Sequence, residues 1–267
     1  MLIFGLGYTA GRLAERLRAR GWHVAGTRRE GEDGALVFTA EEAVRAEIAA
    51  ATHILSSVPP ESEADPVLTR YGADLAAARP EWLGYISSTG VYGDTGGAWV
   101  DEGALLGSGR RSARARADAG WLERGAHVFR LPGIYGPGRS PLDRIRAGAA
   151  HRIDLPGQVF SRIHVDDAVA GILAALTAPA GAYNLADDQP VSQNAVVEYG
   201  AALLGVAPPP LLTLAQAGLS PAARAFYAEN RRIANGKAKR LLGWRPLHPT
   251  YGEGLRAILN GRAPAGR

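Results

Sequence analysis

A glycine-rich stretch near the start of the chain has the spacing of a phosphate-binding turn. The run GLGYTAG (5–11) lies between an apolar stretch and a helical pattern. A dinucleotide-binding turn needs a first glycine for the bend, a second for close approach of the pyrophosphate, and a small third residue for helix packing. Gly5, Gly7 and Ala10 fill these roles, and the amides at the helix N-terminus would hold the phosphates. The predicted contact residues are Gly5, Leu6, Gly7, Tyr8 and Thr9.

Two arginines occupy the position that selects between the two nicotinamide dinucleotides. A site that prefers NAD has an acidic residue about 20 residues beyond the glycine turn. Here the sequence is VAGTRRE (24–30), so Thr27, Arg28 and Arg29 stand in that place. A guanidinium there would bind the 2′-phosphate of NADP, each charge-assisted hydrogen bond contributing about 1.5–3 kcal/mol. We expect NADP rather than NAD; the alternative is that both arginines point into water.

The composition limits the chemistry that other residues can perform. The chain has 267 residues, 30 Lys+Arg against 26 Asp+Glu, and no cysteine, which excludes disulfides, thiolate metal sites and a cysteine nucleophile. Lys237 and Lys239 are the only lysines. Arginine suits phosphate and carboxylate recognition better than proton transfer. No metal site is predicted.

Short apolar runs alternate with helical patterns along the first half of the chain. Leu13 and Leu17 lie one helical turn apart after the glycine turn, and Gly21 is expected to end that helix. Continuous apolar strands between helices predict a parallel sheet covered on both faces. The class is α/β, a Rossmann-type doubly wound parallel sheet. The predicted strands are Leu2 to Phe4, Trp22 to Gly26, Ala35 to Phe38, His53 to Val58, Trp82 to Ser87 and His127 to Leu131.

The second half predicts a smaller mixed C-terminal substrate lobe. Helices are expected at 165–176 and at 192–204, where Ser192 is a typical N-cap. The run GAYNLA (181–186) is expected to return a strand to the sheet. The predicted division is a Rossmann domain at 1–135, completed by 160–186, and a substrate lobe at 136–159 and 187–267.

Targeting and partner signals are weak. Met1 to Phe4 runs into the glycine turn without the pattern of a secretory signal, and no apolar run is long enough for a membrane span. We therefore expect a cytoplasmic protein with a small-molecule substrate and no membrane partner. Acidic residues interrupt the basic ones and no nucleic-acid motif is present, so no nucleic-acid partner is expected.

Several segments together resemble one known family. They are the glycine turn, ISSTGVYGD (86–94), FRLPGIYGPGR (129–139), RIHVDDAV (162–169), YNLAD (183–187) and KRLLGWRP (239–246). In this order they resemble the extended short-chain dehydrogenase/reductases, also called NAD-dependent epimerase/dehydratases. Members often pair through a four-helix interface, so a homodimer is possible on this resemblance. Further cofactor contacts are predicted at Ser56, Ser57, Val58, Ser87 and Pro132.

The resemblance implies one catalytic residue. Counting back three residues from Val91 gives Ser88, whose hydroxyl would hydrogen-bond a substrate oxygen beside the nicotinamide. Thr89 and Tyr92 are expected near the substrate. Thr89 and Gly90 stand where family dehydratases carry an acidic pair, so the sequence is unsuited to sugar-nucleotide dehydration.

The family's acid/base pair, a Tyr four residues before a Lys, is missing. No tyrosine lies between Tyr92 and Tyr135, and no lysine precedes Lys237. In this resemblance the matching stretch places Arg110 at the Tyr position and Arg114 at the Lys position. Loss of a general acid/base costs about 10²- to 10⁴-fold in rate. The chain resembles an atypical subgroup that lacks this pair.

Three other residues are candidates for the missing general acid. Tyr92 and Tyr135 are more typical of packing or loop-fixing positions, and His164 of a structural one, so none is assigned as the acid. Arg110 and Arg114 would share one helix face and clamp an anionic substrate, or form a solvated basic helix. Further substrate contacts are predicted at Arg139 and Arg162.

Two functions therefore remain open from the sequence. The first is an NADP-binding, epimerase-like oxidoreductase acting on an unknown substrate, anionic or nucleotide-sugar-like, with Ser88 orienting an oxygen. The second is a non-catalytic NADP-binding sensor or regulatory protein. Absence of the Tyr and Lys favours the second, and retention of Ser88 favours the first.

Overall fold

The chain folds into two compact units. The structure is a computed structural model that describes residues 1–107 and 112–261. Unit 1 comprises Met1–Val91, Leu106–Arg130 and Val169–Tyr183, and unit 2 comprises Tyr92–Leu105, Leu131–Ala168 and Asn184–Arg267. Neither unit is one continuous stretch of sequence.

The secondary structure alternates between strands and helices. Within the described residues the strands are β1 (Leu2–Phe4), β2 (Ala25–Arg28), β3 (Leu36–Val37), β4 (His53–Ser56), β5 (Trp82–Ser88), β6 (Trp99–Val100), β7 (His127–Leu131), β8 (Gly133–Tyr135), β9 (Arg152–Ile153), β10 (Arg162–His164), β11 (Gly181–Asn184), β12 (Leu211–Leu212) and β13 (Arg232–Ile233). The α-helices are α1 (Tyr8–Arg18), α2 (Glu41–Ala50), α3 (Pro66–Ala78), α4 (Ser112–Leu122), α5 (Pro141–Arg146), α6 (Val165–Ala174), α7 (Gln193–Leu204), α8 (Pro221–Tyr227), α9 (Gly236–Leu241) and α10 (Tyr251–Leu259). No helix in these ranges is both long and apolar enough to span a bilayer.

The central sheet has seven strands in the order β11-β7-β5-β4-β1-β2-β3. The pairs β1–β2, β1–β4, β2–β3 and β4–β5 are parallel. The chain runs outward from β1 in both directions, so the strand order reverses beside β1. In sheets of this kind ligands bind at the carboxyl ends of the strands where the order reverses. The predicted Rossmann-type fold is confirmed.

Both faces of this sheet are buried. Leu2 and Phe4 pack in a core with Ile48 of α2, Tyr71 of α3 and Trp121 of α4. Ile3 points to the opposite face because side chains alternate along a strand, and it is also fully buried. A strand covered on both faces explains why β1 is continuously apolar.

A polar network joins β5, β7 and α4 inside unit 1. Asp118 of α4 accepts hydrogen bonds from Arg130 Nη2 at 2.7 Å and Nε at 3.1 Å, and from Ser87 Oγ at 2.7 Å. Asp118 and Arg130 are almost completely buried. The bidentate geometry compensates the desolvation of both charges.

The start of α3 is fixed to α4 by one carboxylate. Asp65 caps α3 by accepting from the amides of Val67 and Leu68, both at 2.9 Å, and its other oxygen accepts from Trp121 Nε1 at 2.9 Å. Trp121 also stacks on Tyr85 of β5, with 5.5 Å between ring centroids. These contacts hold α4 against the sheet.

Unit 2 is built from paired short strands and a small helical core. The pairs β8–β10, β9–β12 and β6–β13 are all parallel. Leu142 of α5, Val196 of α7 and Leu255 of α10 pack together with Tyr135. Ser192 caps α7 by accepting from the Ala195 amide, as predicted.

One local prediction is confirmed and one needs correction. The helical residues of α1 end at Arg18, and Gly21 closes the following turn with a φ of +82°, where the Trp22 amide donates to the Leu17 carbonyl at 3.1 Å, as expected of a helix-terminating glycine. Strand β2 runs from Ala25 to Arg28 rather than from Trp22 to Gly26. The register explains the shift, because β1 is short and pairs Leu2 with Ala25 and Phe4 with Thr27.

The two units also divide the chain differently from the predicted domains. Residues 92–105, 131–135, 160–168 and 184–186 belong to unit 2, although the sequence places them with the Rossmann domain. Local pairing gives the reason for three of these segments. Strand β6 pairs with β13, and β8 pairs with β10, so these strands contribute to small sheets of unit 2.

Breaking the buried network should destabilise the fold. We expect Asp118→Asn to lower the free energy of unfolding by about 3–5 kcal/mol, because it leaves the Arg130 guanidinium buried without its counter-ion. Urea denaturation measures the loss. As a control, Arg146→Ala removes an exposed pair with Asp143 and should change stability by less than about 1 kcal/mol. Equal effects of the two variants would contradict this assignment.

Candidate functional site

The glycine turn follows β1 at the point where the strand order reverses. Gly5 adopts a φ of +83°, which favours glycine, and a Cβ there would lie 3.1 Å from Ser57 Oγ. Gly7 is the N-cap of α1, and a Cβ there would meet nothing within 4 Å. The first glycine is therefore required by backbone geometry, and the second faces open space.

Side chains from two other strands fix this turn. Thr27 of β2 accepts a hydrogen bond from the Gly5 amide through Oγ1 at 3.1 Å and from the Leu6 amide through its carbonyl at 3.0 Å. Ser57, just after β4, donates from Oγ to the Gly5 carbonyl at 2.5 Å. Thr27 and Ser57 thus position the turn.

A cavity of about 670 Å³ opens beside the turn in unit 1. It is lined by Gly5, Leu6, Gly7, Thr27, Arg28, Arg29, Phe38, Thr39, Ser57, Val58, Pro59, Glu61, Ala64, Pro66, Thr69 and Arg70. Eight predicted cofactor residues are among them, from Gly5 to Val58. The sequence interpretation missed Phe38, Thr39, Thr69 and Arg70, which carry no motif of their own. Arg70 lies over the Phe38 ring, 6.0 Å from its centroid.

A second cavity of about 730 Å³ is lined by some of the same residues and carries three arginines. Its lining comprises Leu6, Gly7, Tyr8, Gly11, Arg12, Glu15, Arg28, Arg29, Glu30 and Glu32. Arg28 forms an ion pair with Glu32 at 3.3 Å, and Arg29, which is largely exposed, pairs with Glu61 at 2.7 Å. Arg12 lies over the Tyr8 ring at 5.1 Å. Arg12 was not predicted, although it lies one helical turn after Tyr8.

The remaining predicted cofactor residues do not line these two cavities. Thr9 is buried in α1, and Ser56 is completely buried in β4. Ser87 donates to Asp118, as described above. Pro132 is half-buried in unit 2. Their predicted contacts with a cofactor stay predictions.

Ser88 ends β5 and keeps a hydroxyl proton available. Its Oγ accepts from the Gly90 amide at 3.1 Å, and within the described residues no acceptor for its own proton is found. Thr89 is buried in the 3-10 turn that follows. Tyr92 is buried as well, and its hydroxyl donates to Asn184 Oδ1 at 2.7 Å. That bond gives Tyr92 a structural role within unit 2.

Of the two arginines predicted at the Tyr and Lys positions, Arg114 lies in the described part of the chain. Arg110 lies outside the described residues. Arg114 is half-buried on α4, where its charge opposes the rise in the pKa of Tyr85 that burial causes. Tyr85 Oη is buried without a hydrogen-bond partner in the described part of the chain. Arg114 is therefore a positive charge facing a buried phenol.

The candidates in unit 2 fall into an exposed and a buried set. Arg139 is exposed, and its backbone bonds to Gly136 in both directions. Arg162 and Tyr135 are buried, and burial lowers the pKa of Arg162 and raises that of Tyr135. Burial also raises the pKa of Asp187 to about 7, against the opposing charge of Arg162. Asp187 was missed as a site residue, although it ends the YNLAD segment.

His164 lies in a cluster of buried side chains in unit 2. Its ring lies 4.1 Å from that of His248, centroid to centroid, and edge-on to Tyr135 at 5.3 Å. Asp167 accepts from the Leu247 amide at 2.7 Å, the His248 amide at 3.1 Å and His248 Nδ1 at 3.0 Å. Both oxygens of Asp167 are thus occupied by the 247–248 segment. His164 Nδ1 accepts from the Asp166 amide at 3.3 Å, a local contact that supports a structural role for His164.

The parallel sheet defines a Rossmann-type fold, and the cavities at its reversal point are the candidate nucleotide-binding site. No protein-family model matches the chain. A conserved protein of unknown function from Silicibacter pomeroyi has 41% identity and a TM-score of 0.91, over 97% of this chain and 98% of that one. The human epimerase family protein SDR39U1, solved with NADPH, has 20% identity and a TM-score of 0.74, over 98% and 100%.

A curated relative supplies a partial match. The 3-diazoavenalumate denitrifying reductase of a Streptomyces species is 32% identical over 140 residues. This match covers 48% of this chain and 45% of that protein, so the chain spans less than half the length of this relative. The solved structures that share this fold include extended short-chain dehydrogenase/reductases of the NAD-dependent epimerase/dehydratase type, the family that the sequence motifs resemble.

Substitution of Gly5 should disturb the site more than substitution of a comparable glycine elsewhere. We expect Gly5→Ala to weaken dinucleotide binding at least tenfold, because it strains a positive φ and presses a methyl group on Ser57 and Val58. Gly138→Ala is the control, since Gly138 has a φ of +76° and open space around its Cβ. Fluorescence titration with NADPH measures both. Unchanged affinity in Gly5→Ala would contradict the assigned turn.

Proposed function

We propose that the chain is an NADP-dependent oxidoreductase of the epimerase/dehydratase type that binds its dinucleotide in the two cavities of unit 1. The observation that carries the proposal is the Gly5 turn, held by Thr27 and Ser57 beside open space at Gly7 and the N-terminus of α1. The residues present fit a pyrophosphate there. A bound nicotinamide would supply hydride transfer to or from a carbon of a small-molecule substrate.

The preference for NADP follows from the charges of the second cavity. Arg12, Arg28 and Arg29 line it together. A phosphate monoester carries nearly two negative charges at neutral pH, whereas Glu32 and Glu61 each offer one. Arg28 and Arg29 would hold a 2′-phosphate in place of these carboxylates, because guanidinium groups match phosphate oxygens in charge and geometry.

Removing the two adjacent arginines should change cofactor preference. We expect Arg28→Ala with Arg29→Ala to raise the Kd for NADPH by tenfold or more while the Kd for NADH changes less than twofold. Arg20→Ala, which removes an exposed arginine beyond α1, is the matched control. Fluorescence titration with both cofactors gives the four constants. Similar NADPH and NADH constants in the unchanged protein would refute the NADP preference.

Ser88 is the residue proposed to orient a substrate oxygen. It ends β5 with its Oγ held by the Gly90 amide, so the hydroxyl proton is directed away from that bond. A fixed hydroxyl donor stabilises negative charge that develops on oxygen during hydride transfer.

The missing Tyr and Lys do not exclude catalysis. Some reductions need no proton on a substrate oxygen, such as those in which a leaving group departs as hydride arrives. The Streptomyces relative is named as a denitrifying reductase of a diazo compound. That name supports a reductase activity as the candidate function.

A second candidate is a non-catalytic sensor that responds to NADP occupancy. The sequence favours it in one respect, since no lysine precedes Lys237 and no tyrosine lies between Tyr92 and Tyr135. The retained hydroxyl of Ser88 favours the enzyme.

Turnover separates the two candidates. We expect NADPH oxidation with at least one member of a panel of ketones, aldehydes, nucleotide sugars and diazo acids, measured by absorbance of the reduced nicotinamide. Ser88→Ala should lower kcat/KM by about 10²- to 10³-fold with an unchanged Kd for NADPH. Tight NADPH binding without oxidation across the panel would favour the sensor.

A further inference from the structure

Three buried polar atoms on three segments of unit 2 lack hydrogen-bond partners within the described part of the chain. They are Tyr135 Oη on β8, Arg162 Nη1 on β10 and Asp187 Oδ2 just after β11. Their residues are only 5%, 7% and 2% exposed. Buried polar groups are nearly always hydrogen-bonded, so unpartnered atoms on neighbouring segments indicate a missing group.

Arg162 and Asp187 are neighbours, but their side chains do not form an ion pair in the described part of the chain. We call this arrangement the open pair. The Asp187 amide donates to the Arg162 carbonyl at 2.8 Å, and the two side chains influence each other's pKa. Within the described residues, however, they form no ion pair. The Arg130–Asp118 pair of unit 1 shows the alternative, a bidentate contact at 2.7 and 3.1 Å. An open pair of buried charges costs free energy that a closed pair recovers in part.

The surroundings of the open pair are largely satisfied. Asp187 Oδ1 already accepts from the Gln189 amide at 3.2 Å, and the Tyr251 ring lies 6.0 Å from the Arg162 guanidinium. Asp188 pairs with Lys239, and Glu253 caps α10. Three roles are thus left open: a donor on Arg162, an acceptor on Asp187, and a phenol that can do either.

A neutral hydroxyl matches these three roles. Its oxygen can accept from Arg162 and its proton can be donated to Asp187, with Tyr135 as the third partner. An anion would satisfy Arg162 but would add negative charge beside Asp187, with Asp167 and Asp188 also nearby. Water has the same donor and acceptor set, and it is what a ligand hydroxyl would displace.

We propose that Tyr135, Arg162 and Asp187 form a binding site for a hydroxyl group of a small alcohol or polyol. The site lies wholly in unit 2 and is independent of the dinucleotide chemistry proposed for unit 1. The proposal also changes the role expected for Arg162. Instead of binding an anionic group of the substrate, Arg162 would bind a neutral hydroxyl together with Asp187.

Matched substitutions test whether the open pair is a binding site or a structural one. Asp187→Asn and Asp118→Asn each neutralise a buried carboxylate near a buried arginine. Asp118→Asn should lower the urea midpoint of the protein clearly. At pH 8 Asp187→Asn should leave the midpoint unchanged or raise it, because no closed ion pair is lost. An equal fall in both variants would overturn the proposal.

Ligand binding is tested with ethylene glycol, glycerol and myo-inositol by saturation-transfer NMR, with acetate and phosphate as the anion arm. We expect transfer to at least one polyol, and a loss of at least tenfold in affinity in Arg162→Met with Asp187→Asn. NADPH affinity should be unchanged in that variant, which shows that unit 1 is intact. Transfer to no polyol, equal transfer in both proteins, or selective binding of the anions would each overturn the proposal.

The pH dependence distinguishes a hydroxyl from an anion. A hydroxyl needs the ionised form of Asp187, so affinity should rise as pH increases through about 7. The charged and titratable groups that face this carboxyl are Arg162 on β10, Tyr135 on β8, Asp167 on α6 and the adjacent Asp188. Tyr135 does not titrate in this range, because burial raises its pKa further above the ordinary value. Affinity that falls through the same interval would overturn the proposal.

Discussion

The site of unit 1 depends on the hydrogen bonds that join the turn at Gly5 to Thr27 and Ser57. They tie the end of β1 to the ends of its two neighbours, β2 and β4. A positive φ at Gly5 would otherwise be one of many conformations open to a glycine. With both side chains in place, the turn has one shape, and α1 begins at a fixed position against the open cavity.

Two buried arginine–carboxylate pairs in this protein illustrate opposite uses of the same chemistry. Arg130 and Asp118 make a closed bidentate contact that joins a helix to two strands. Arg162 and Asp187 stay apart although their backbones are hydrogen-bonded. Since the first arrangement satisfies its charges internally and the second does not, the first contributes to stability and the second has capacity left for a ligand.

Much of the fold was predictable from the sequence because local patterns determine it. The turn between β1 and α1, the apolar run of β1 and the N-cap Ser192 each depend on neighbouring residues, and these three structural predictions are confirmed. The bounds of β2 were wrong because strand length is set by the partner strand. The cavity residues Phe38 and Arg70 could not be found, because only the packing of β3 and α3 brings them to the turn. Asp187 could not be identified from the sequence, because it is remote from Arg162 along the chain and only the fold brings the two residues together.

The anchoring of the Gly5 turn has a consequence for how the protein acquires its shape. The three tied residues lie at positions 5, 27 and 57, so a growing chain cannot hold the turn until β4 and Ser57 have left the ribosome and joined the sheet. The amides proposed to hold a phosphate therefore reach their final positions late relative to their place in the sequence. A dinucleotide can then stabilise only chains that have already assembled β1, β2 and β4, so it would select folded molecules rather than guide the earliest steps of folding.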